Sequence, residues 1–273
     1  MDSAIVSLSF DFDGVSPWLH SSGLEATPTN LSRGLFGVDV GAPRILELLD
    51  DHGIAATWFT PGHTIDSFPE ICEEVYSRGH DIQHHGWSHT RPGDYESFEA
   101  ERADIERGIE SIEELTGKSP TGYRSPSWDF SPHTLDLLQE FGFEWDSSGM
   151  AHDFVPYYVR SGTTAPMDGP YQRGEPTGIL ELPISWQRDD FPPLVFTGTR
   201  GFTDEAAVFQ KFRDQFEWMY DHVDDGVYIL TMHPQVIGRN HRLDKLETLI
   251  EHMAAKPGVR FETMDVVAAE YAD

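Results

Sequence analysis

The chain has 273 residues and carries 47 Asp and Glu against 19 Lys and Arg, which gives a formal net charge of -28. Hydrophobic residues make up 38% of the sequence and aromatic residues 12%, which supplies enough apolar material for a core and excludes a wholly disordered chain. The negative charge excludes general affinity for nucleic acid and for anionic membranes, since both would repel it. Neutral molecules, cationic molecules and metal ions are therefore the expected partners.

The alternation of strand-like and helix-like segments predicts an α/β fold. Apolar, β-prone runs predict strands at 4–13, 54–62, 80–86, 120–128, 143–148, 179–185, 227–234 and 259–264. Helical periodicity and capping residues predict helices at 41–53, 67–79, 97–117, 131–142, 204–223, 241–255 and 265–272. Residues 14–40 and 149–178 are predicted to be loops that determine the substrate.

Seven or eight such units favour a single domain over residues 1–273, built as a distorted (β/α) barrel. An open, doubly wound sheet is the alternative, because periodicity does not show whether a sheet closes.

The acidic excess is interpreted as an adaptation of the surface to salt. Lysine occurs at only four positions, Lys118, Lys211, Lys245 and Lys256, and arginine supplies the other basic residues. Such a surface suits concentrated salt, where charges are screened within roughly 3 Å at 1 M. We therefore predict a halophilic protein in a high-salt cytoplasm.

The single cysteine, Cys72, excludes an internal disulfide and any multi-cysteine metal site. The N-terminal segment lacks the basic region of a signal peptide, and no apolar run approaches the roughly 20 residues that a membrane span needs. A cytoplasmic protein without a membrane segment is expected.

Reactive side chains recur at the ends of the predicted strands. Because the carboxyl ends of barrel strands meet at one rim, these groups are expected to converge there. They are Asp11 and Asp13, His84, His85 and His89, Arg124 and Trp128, Asp146, and His233.

Two of these groups predict a metal site. Asp11 and Asp13 point to the same face of an ideal strand, and such a pair is costly without a cation or arginine between them. His85 and His89 have a spacing common among metal ligands, so two histidines and one aspartate suggest a site with open positions. The alternative is that the aspartates only cap a turn before Gly14.

The remaining groups predict acid–base chemistry. Arg124 is expected to hold one aspartate by a bidentate pair, and otherwise would be a surface charge. His233 is interpreted as a general acid whose ring is oriented by Asp146, and the alternative is a core histidine with ordinary hydrogen bonds.

The motifs SFDFDG, HGWSH, YRSPSW, WDSS and LTMHP, in this order, resemble the five motifs of the polysaccharide deacetylase (NodB-homology) family. The resemblance extends from about residue 5 to about residue 255, and is strongest to an intracellular branch of peptidoglycan-deacetylase-like proteins and allantoinases. It implies a barrel fold and, because that branch is often tetrameric, a homo-oligomer (tetramer or dimer).

The resemblance also implies roles. Asp11 matches the catalytic base, Arg124 its partner, His233 the general acid and Asp146 the support of that acid. Three further positions match the metal ligands, and two match the lining of the acyl pocket. The ligands are Asp13, His85 and His89, and the lining residues are Trp128 and Leu230.

The expected activity is metal-dependent hydrolysis of non-peptide carbon–nitrogen bonds, with one divalent ion, zinc, and a carbohydrate or small-molecule substrate. Deacetylation of an N-acetylated sugar or polysaccharide is the leading hypothesis. The spacer Phe12 between the aspartates bears on the substrate class. Because a cytoplasmic enzyme would more naturally meet small molecules than an extracellular polymer, a ring-opening amidohydrolase acting on a cyclic amide, imide or ureide is the alternative. A non-catalytic carbohydrate-binding barrel is a third hypothesis. No role follows from the sequence for Glu181, Asp189, Asp190 or His63.

Overall fold

The computed structural model describes residues 4–21, 23–196 and 202–272. Within these ranges nine strands form one sheet, in the order β6-β7-β5-β4-β3-β2-β1-β8, with β9 paired to β1. The strands are β1 (Ala4–Asp11), β2 (Thr57–Thr60), β3 (Asp81–His84), β4 (Gly122–Tyr123), β5 (Trp145–Asp146), β6 (Tyr157–Ser161), β7 (Glu175–Glu181), β8 (Val227–Met232) and β9 (Val259–Phe261).

Helices connect most of the strands. They are α1 (Ser16–His20), α2 (Pro28–Phe36), α3 (Ala42–His52), α4 (Gly62–Ser67), α5 (Pro69–Ser77), α6 (Phe98–Thr116), α7 (Thr134–Glu140), α8 (Phe191–Leu194), α9 (Glu205–His222), α10 (Pro234–Ile237), α11 (Asn240–Ala254) and α12 (Met264–Tyr271). Gly37–Gly41 forms a π-helical turn, and Pro92–Asp94, Pro126–Trp128 and Trp186–Arg188 are 3₁₀ turns.

The strand order is that of an incomplete barrel. Strands β1 to β5 are neighbours in chain order and run parallel, without the central reversal of a doubly wound sheet. Among the described residues, β7 and β8 form no ladder; the segment after β7 reaches β8 through one parallel bridge, Asp189 to Thr231. The predicted α/β class and distorted barrel are confirmed.

The two faces of β1 differ in polarity, which places the core and the site. Val6, Leu8 and Phe10 pack into the main hydrophobic cluster with α3, α9 and α11. Of the alternate side chains, Ser7, Ser9 and Asp11 are polar and also buried, whereas Ile5 belongs to a second hydrophobic cluster. Because side chains alternate along a strand, the helices cover one face and a polar interior lies on the other.

The predicted helices agree closely with the structure where capping signals are strong. Helix α6 begins after Ser97, whose side chain accepts a hydrogen bond from the Ala100 amide, and it ends before Gly117. The helix predicted at 67–79 is α5, which begins two residues later, at Pro69, and a further helix that was not predicted, α4, ends at Ser67. A proline at the first turn is typical of a new helix start.

Both segments that were predicted to be loops contain regular structure. The segment 14–40 contains α1, α2 and most of the π-helical turn. The segment 149–178 contains β6, which runs antiparallel to β7, and the first residues of β7. No helix within the described residues is both long and apolar enough to cross a bilayer.

Candidate active site

Strand β1 delivers both aspartates of the SFDFDG motif to the carboxyl edge of the sheet. Asp11 is its last residue and Asp13 lies two residues later, and both side chains are almost completely buried. Gly14 follows with a φ of 56°, and a Cβ at this position would lie 2.9 Å from Oγ1 of Thr64. Glycine therefore permits the tight turn that brings the two carboxylates into the interior.

Asp13, His85 and His89 form a cluster of three potential metal ligands. Oδ1 of Asp13 lies 3.7 Å from Nε2 of His85 and 3.4 Å from Nε2 of His89. Nδ1 of His85 is 2.7 Å from the carbonyl oxygen of Arg124. Because a carbonyl only accepts hydrogen bonds, that nitrogen carries the proton and Nε2 presents its lone pair to the cluster.

The chemistry of this cluster fits a divalent cation. Burial lowers the pKa of His85 and of His89 to about 4, so both rings are neutral near pH 7 and can act as ligands. Oδ1 of Asp13 is buried without a hydrogen-bond partner in the described structure, and burial raises the pKa of this carboxyl. A bound cation would give that oxygen a partner and stabilise its ionised form.

Asp11 is held by a fully buried ion pair. Nη1 of Arg124 lies 2.7 Å from Oδ1 of Asp11, and Nε1 of Trp128 is 3.4 Å from Oδ2. Burial raises the pKa of Asp11, but the charges of Arg124, His85 and His233 and the Arg124 hydrogen bond together lower it to about 2. Asp11 is therefore ionised and fixed in orientation across the neutral pH range.

His233 faces the two aspartates from the end of β8. Its Nε2 lies 3.8 Å from Oδ2 of Asp11, and its Nδ1 lies 2.8 Å from Oδ1 of Asp190. Burial lowers the pKa of His233, but the hydrogen bond and charge of Asp190, with the charges of Asp189 and Asp13, raise it to about 10. The ring is therefore an imidazolium with Nε2 directed toward Asp11.

Asp146 does not support His233, contrary to the sequence prediction. Its carboxylate accepts hydrogen bonds from the amide and hydroxyl of Ser148 and lies beside Glu181. The reason is the strand order, since β5 lies between β4 and β7 whereas His233 follows β8. The Asp189–Thr231 bridge instead brings Asp190 to the imidazole.

Leu230 does not line the pocket, contrary to expectation. It is fully buried in the main hydrophobic cluster, on the helix-covered face of β8. Its strand neighbour Thr231 points to the interior, where its hydroxyl is 3.3 Å from that of Ser9. The period of two along a strand places His233 on the same side as Thr231 and opposite to Leu230.

The converging residues border a cavity of about 1160 Å³. Trp128 lines it and stacks on the half-exposed ring of Trp186, with centroids 4.3 Å apart. His89, Ser127 and Trp128 all have φ between 54° and 61°, an uncommon conformation for non-glycine residues. Such strained positions cluster at functional sites, which supports assigning this cavity as the active site.

Sequence reasoning missed three residues of this site. Asp190 supports His233, Trp186 stacks on Trp128, and Gln235 donates from Nε2 to Oδ2 of Asp13 across 3.1 Å. For Asp190, the signal in the sequence was the pair of adjacent carboxylates at 189–190, ahead of a proline pair. His63 lies outside the cavity lining, with Nδ1 3.0 Å from the hydroxyl of Ser16.

Comparisons with known proteins find relatives of this chain over most of its length. The polysaccharide deacetylase family model matches residues 36–145. A peptidoglycan deacetylase of Helicobacter pylori is 38% identical, over 98% of this chain and 96% of its own length. The peptidoglycan deacetylase-like protein FGM2 of Gibberella zeae is 30% identical, over 97% of this chain and 86% of its own.

Solved structures show the same architecture. A Mycobacterium smegmatis protein described as a polysaccharide deacetylase superposes with a TM-score of 0.83 at 32% identity, covering 98% of this chain and 90% of its own. The Puue allantoinase superposes with a TM-score of 0.82 at 22% identity and the same coverage, which shows a shared fold only. The chain thus belongs to the polysaccharide deacetylase family and is a hydrolase of carbon–nitrogen bonds other than peptide bonds.

Proposed function

We propose that the chain is a metal-dependent deacetylase of N-acetylated sugars or polysaccharides. The observation that carries this proposal is the pairing of an ionised carboxylate, Asp11, with an imidazolium, His233, across 3.8 Å beside the unpartnered oxygen of Asp13. Two groups held in opposite protonation states are what an acid–base hydrolysis needs.

Asp13, His85 and His89 would hold the metal ion, and two imidazoles with one carboxylate favour zinc. Bound there, a divalent ion polarises an amide carbonyl and acidifies water. The side chain of Arg124 contacts Asp11 and that of Asp190 contacts His233. Both therefore act on the acid–base pair and not on the three metal ligands.

The acid and the base act on the reacting amide in turn. Asp11, held by Arg124, accepts a proton from the attacking water. His233 then donates its Nε2 proton to the departing amine, and Asp190 stabilises the imidazolium before that transfer.

The stacked pair Trp128 and Trp186 suits a carbohydrate. A half-exposed indole beside the acid–base centre offers a flat apolar surface for a sugar ring, as aromatic side chains commonly do at binding sites. Two relatives, the peptidoglycan deacetylase of Helicobacter pylori and a peptidoglycan-N-acetylglucosamine deacetylase of Bacillus cereus, support N-acetylglucosamine as the sugar.

The test is turnover of an N-acetylglucosamine oligomer and of a cyclic ureide or imide, before and after chelation. We expect acetate release that chelation abolishes and zinc restores. Asp11→Asn should lower kcat/KM by about 10²-fold or more, because the base loses its charge. Asp136→Asn, a change at an exposed position on α7, is the matched control and should leave it unchanged. Ring opening without acetate release would instead establish the cyclic-amide alternative.

A further inference from the structure

The cavity continues well beyond the acid–base pair. Besides Asp13 and His233, its lining includes three arginines, Arg33, Arg239 and Arg242. A volume of about 1160 Å³ is large for an acetamido group alone, since pockets of roughly 300–1,000 Å³ hold drug-sized ligands. The rest of the cavity is therefore available to a portion of the substrate that does not react.

These three arginines and Arg44, which does not line the cavity, form a group that we call the arginine cluster. Arg33 lies on α2, Arg44 on α3, Arg239 directly before α11, and Arg242 on α11. Burial, followed by the charges of Arg242, Arg44 and Arg33, lowers the pKa of Arg239. The other three guanidinium groups are thus close enough to Arg239 to repel its positive charge.

Carboxylates neutralise little of this cluster. Nε of Arg242 is 2.8 Å from Oε1 of Glu205, which also pairs with His241. Within the described ranges, none of Arg33, Arg44 and Arg239 forms an ion pair with a carboxylate. One glutamate against four guanidinium groups leaves an excess of positive charge at the arginine cluster, although the net charge of the chain is -28.

The unpaired arginines are nevertheless fixed in position. The guanidinium of Arg239 lies 3.5 Å above the ring of Phe36, and Nη2 of Arg33 donates to the Phe196 carbonyl across 2.8 Å. Such contacts orient the planar groups without neutralising them. Preorganised guanidinium groups match the oxygens of carboxylate and phosphate in geometry and charge.

A short segment of the chain joins the arginine cluster to the reacting centre. It begins at His233, passes through α10, and reaches Arg239 six residues later. Gln235 lies within it, lines the same cavity and donates to Asp13. An anion held at Arg239 would therefore position the rest of the molecule toward Asp13 and His233.

We propose that the arginine cluster is an anion-binding subsite that takes a carboxylate or phosphate group of the substrate, at a distance from the amide that is hydrolysed. This rests on the proposed deacetylase function and deepens it, since it names the substrates as N-acetylated sugars that carry a second, anionic group. The repulsion among the arginines is then relieved when the substrate binds.

The experiment measures kinetics on three sugars at constant ionic strength: N-acetylglucosamine, its 6-phosphate and N-acetylmuramic acid. Arg239→Gln and Arg33→Gln should each raise KM for the charged sugars by about tenfold or more, because a charge-assisted contact is lost. KM for the neutral sugar should stay unchanged, and Arg239→Lys should recover part of the loss. Arg213→Gln, the same change at an exposed position on α9, is the matched control.

Calorimetric binding of inorganic phosphate separates this inference from the proposed function. Binding that is weakened by Arg239→Gln but not by Arg213→Gln supports the subsite even if no sugar is deacetylated. Preference for the phosphate-bearing or the carboxylate-bearing sugar identifies the anion. Equal KM values for neutral and charged sugars, together with phosphate binding that is absent or insensitive to Arg239, would overturn the subsite.

Discussion

His233 depends on a partner that lies 43 residues away in the chain. Asp190 accepts from its backbone amide at 3.1 Å and contacts Nδ1 at 2.8 Å, so one carboxylate fixes both the main chain and the ring. The negative charge also retains the proton on the imidazole. The pKa of His233 therefore depends on Asp190 and is not a property of the histidine alone.

Replacing that carboxylate should move the pH profile. In Asp190→Asn the ring loses the charge that raises its pKa to about 10, so His233 deprotonates at lower pH. Because only the protonated ring is an acid, the alkaline limb of kcat/KM should shift downward by about one pH unit or more. The pH dependence of acetate release measures this.

Asp146→Asn is the control for that experiment. Asp146 contacts Ser148 and Glu181 rather than His233, so its substitution should leave the position of the alkaline limb unchanged. If the alkaline limb shifted in Asp146→Asn and not in Asp190→Asn, Asp146 rather than Asp190 would be the residue that supports His233.

Local spacing predicted residues that neighbouring strands bring together, and it failed for the residue that supports His233. Asp11 and Asp13 share a face because the strand period is two, and parallel strands bring His85 and Arg124 to the same edge. Asp190 reaches His233 only through the bridge of Asp189 to Thr231, and a single bridge leaves no periodic pattern.

Helix α10 packs against the π-helical turn at Gly37–Gly41. A Cβ added at Gly41 would lie 2.2 Å from the carbonyl oxygen of Pro234, the residue directly after His233. Glycine is thus required by a backbone contact between two elements, one of which begins at the general acid.

Gly41→Ala should consequently destabilise the protein. We expect the free energy of unfolding to fall by about 1–3 kcal/mol, because the added methyl group displaces backbone rather than a flexible side chain. Denaturant unfolding measures it. Gly178→Ala is the matched control, since a Cβ there meets nothing within 4 Å, and an equal loss in the two variants would refute the role of this contact.

Elements with strong periodicity were predictable, whereas β6 was not. Helix α6 matched within one residue at each end because Ser97 caps it and its apolar positions recur regularly. Strand β6 has only five residues, none of them fully buried, in a segment rich in proline and glycine. A short, partly exposed strand owes its structure to pairing with β7, which sequence patterns do not record.

The charge of the whole molecule bears on its stability. With 47 acidic and 19 basic residues, the folded chain concentrates negative charge on a compact surface. Self-repulsion then opposes folding unless salt screens it. Composition alone predicts this dependence of folding on salt, independently of the fold.

Stability should therefore rise steeply with salt. We predict that thermal unfolding at about 0.1 M KCl occurs at clearly lower temperature than at about 2 M KCl, because the screening length shortens severalfold. Sucrose favours compact states without screening charge, so it is the control and should not reproduce the rise in melting temperature that KCl causes. A melting temperature that is independent of KCl would contradict the prediction.

The most direct measurement is the metal content of the purified chain, compared with that of ligand variants by elemental analysis after zinc loading. We predict about one zinc ion per chain in the unsubstituted protein and loss of that ion in Asp13→Asn and in His89→Gln. His63→Gln, a histidine outside the cluster, should keep the ion. A chain that binds no metal, or variants that bind as much as the unsubstituted protein, would contradict the assignment of Asp13, His85 and His89 as the metal site.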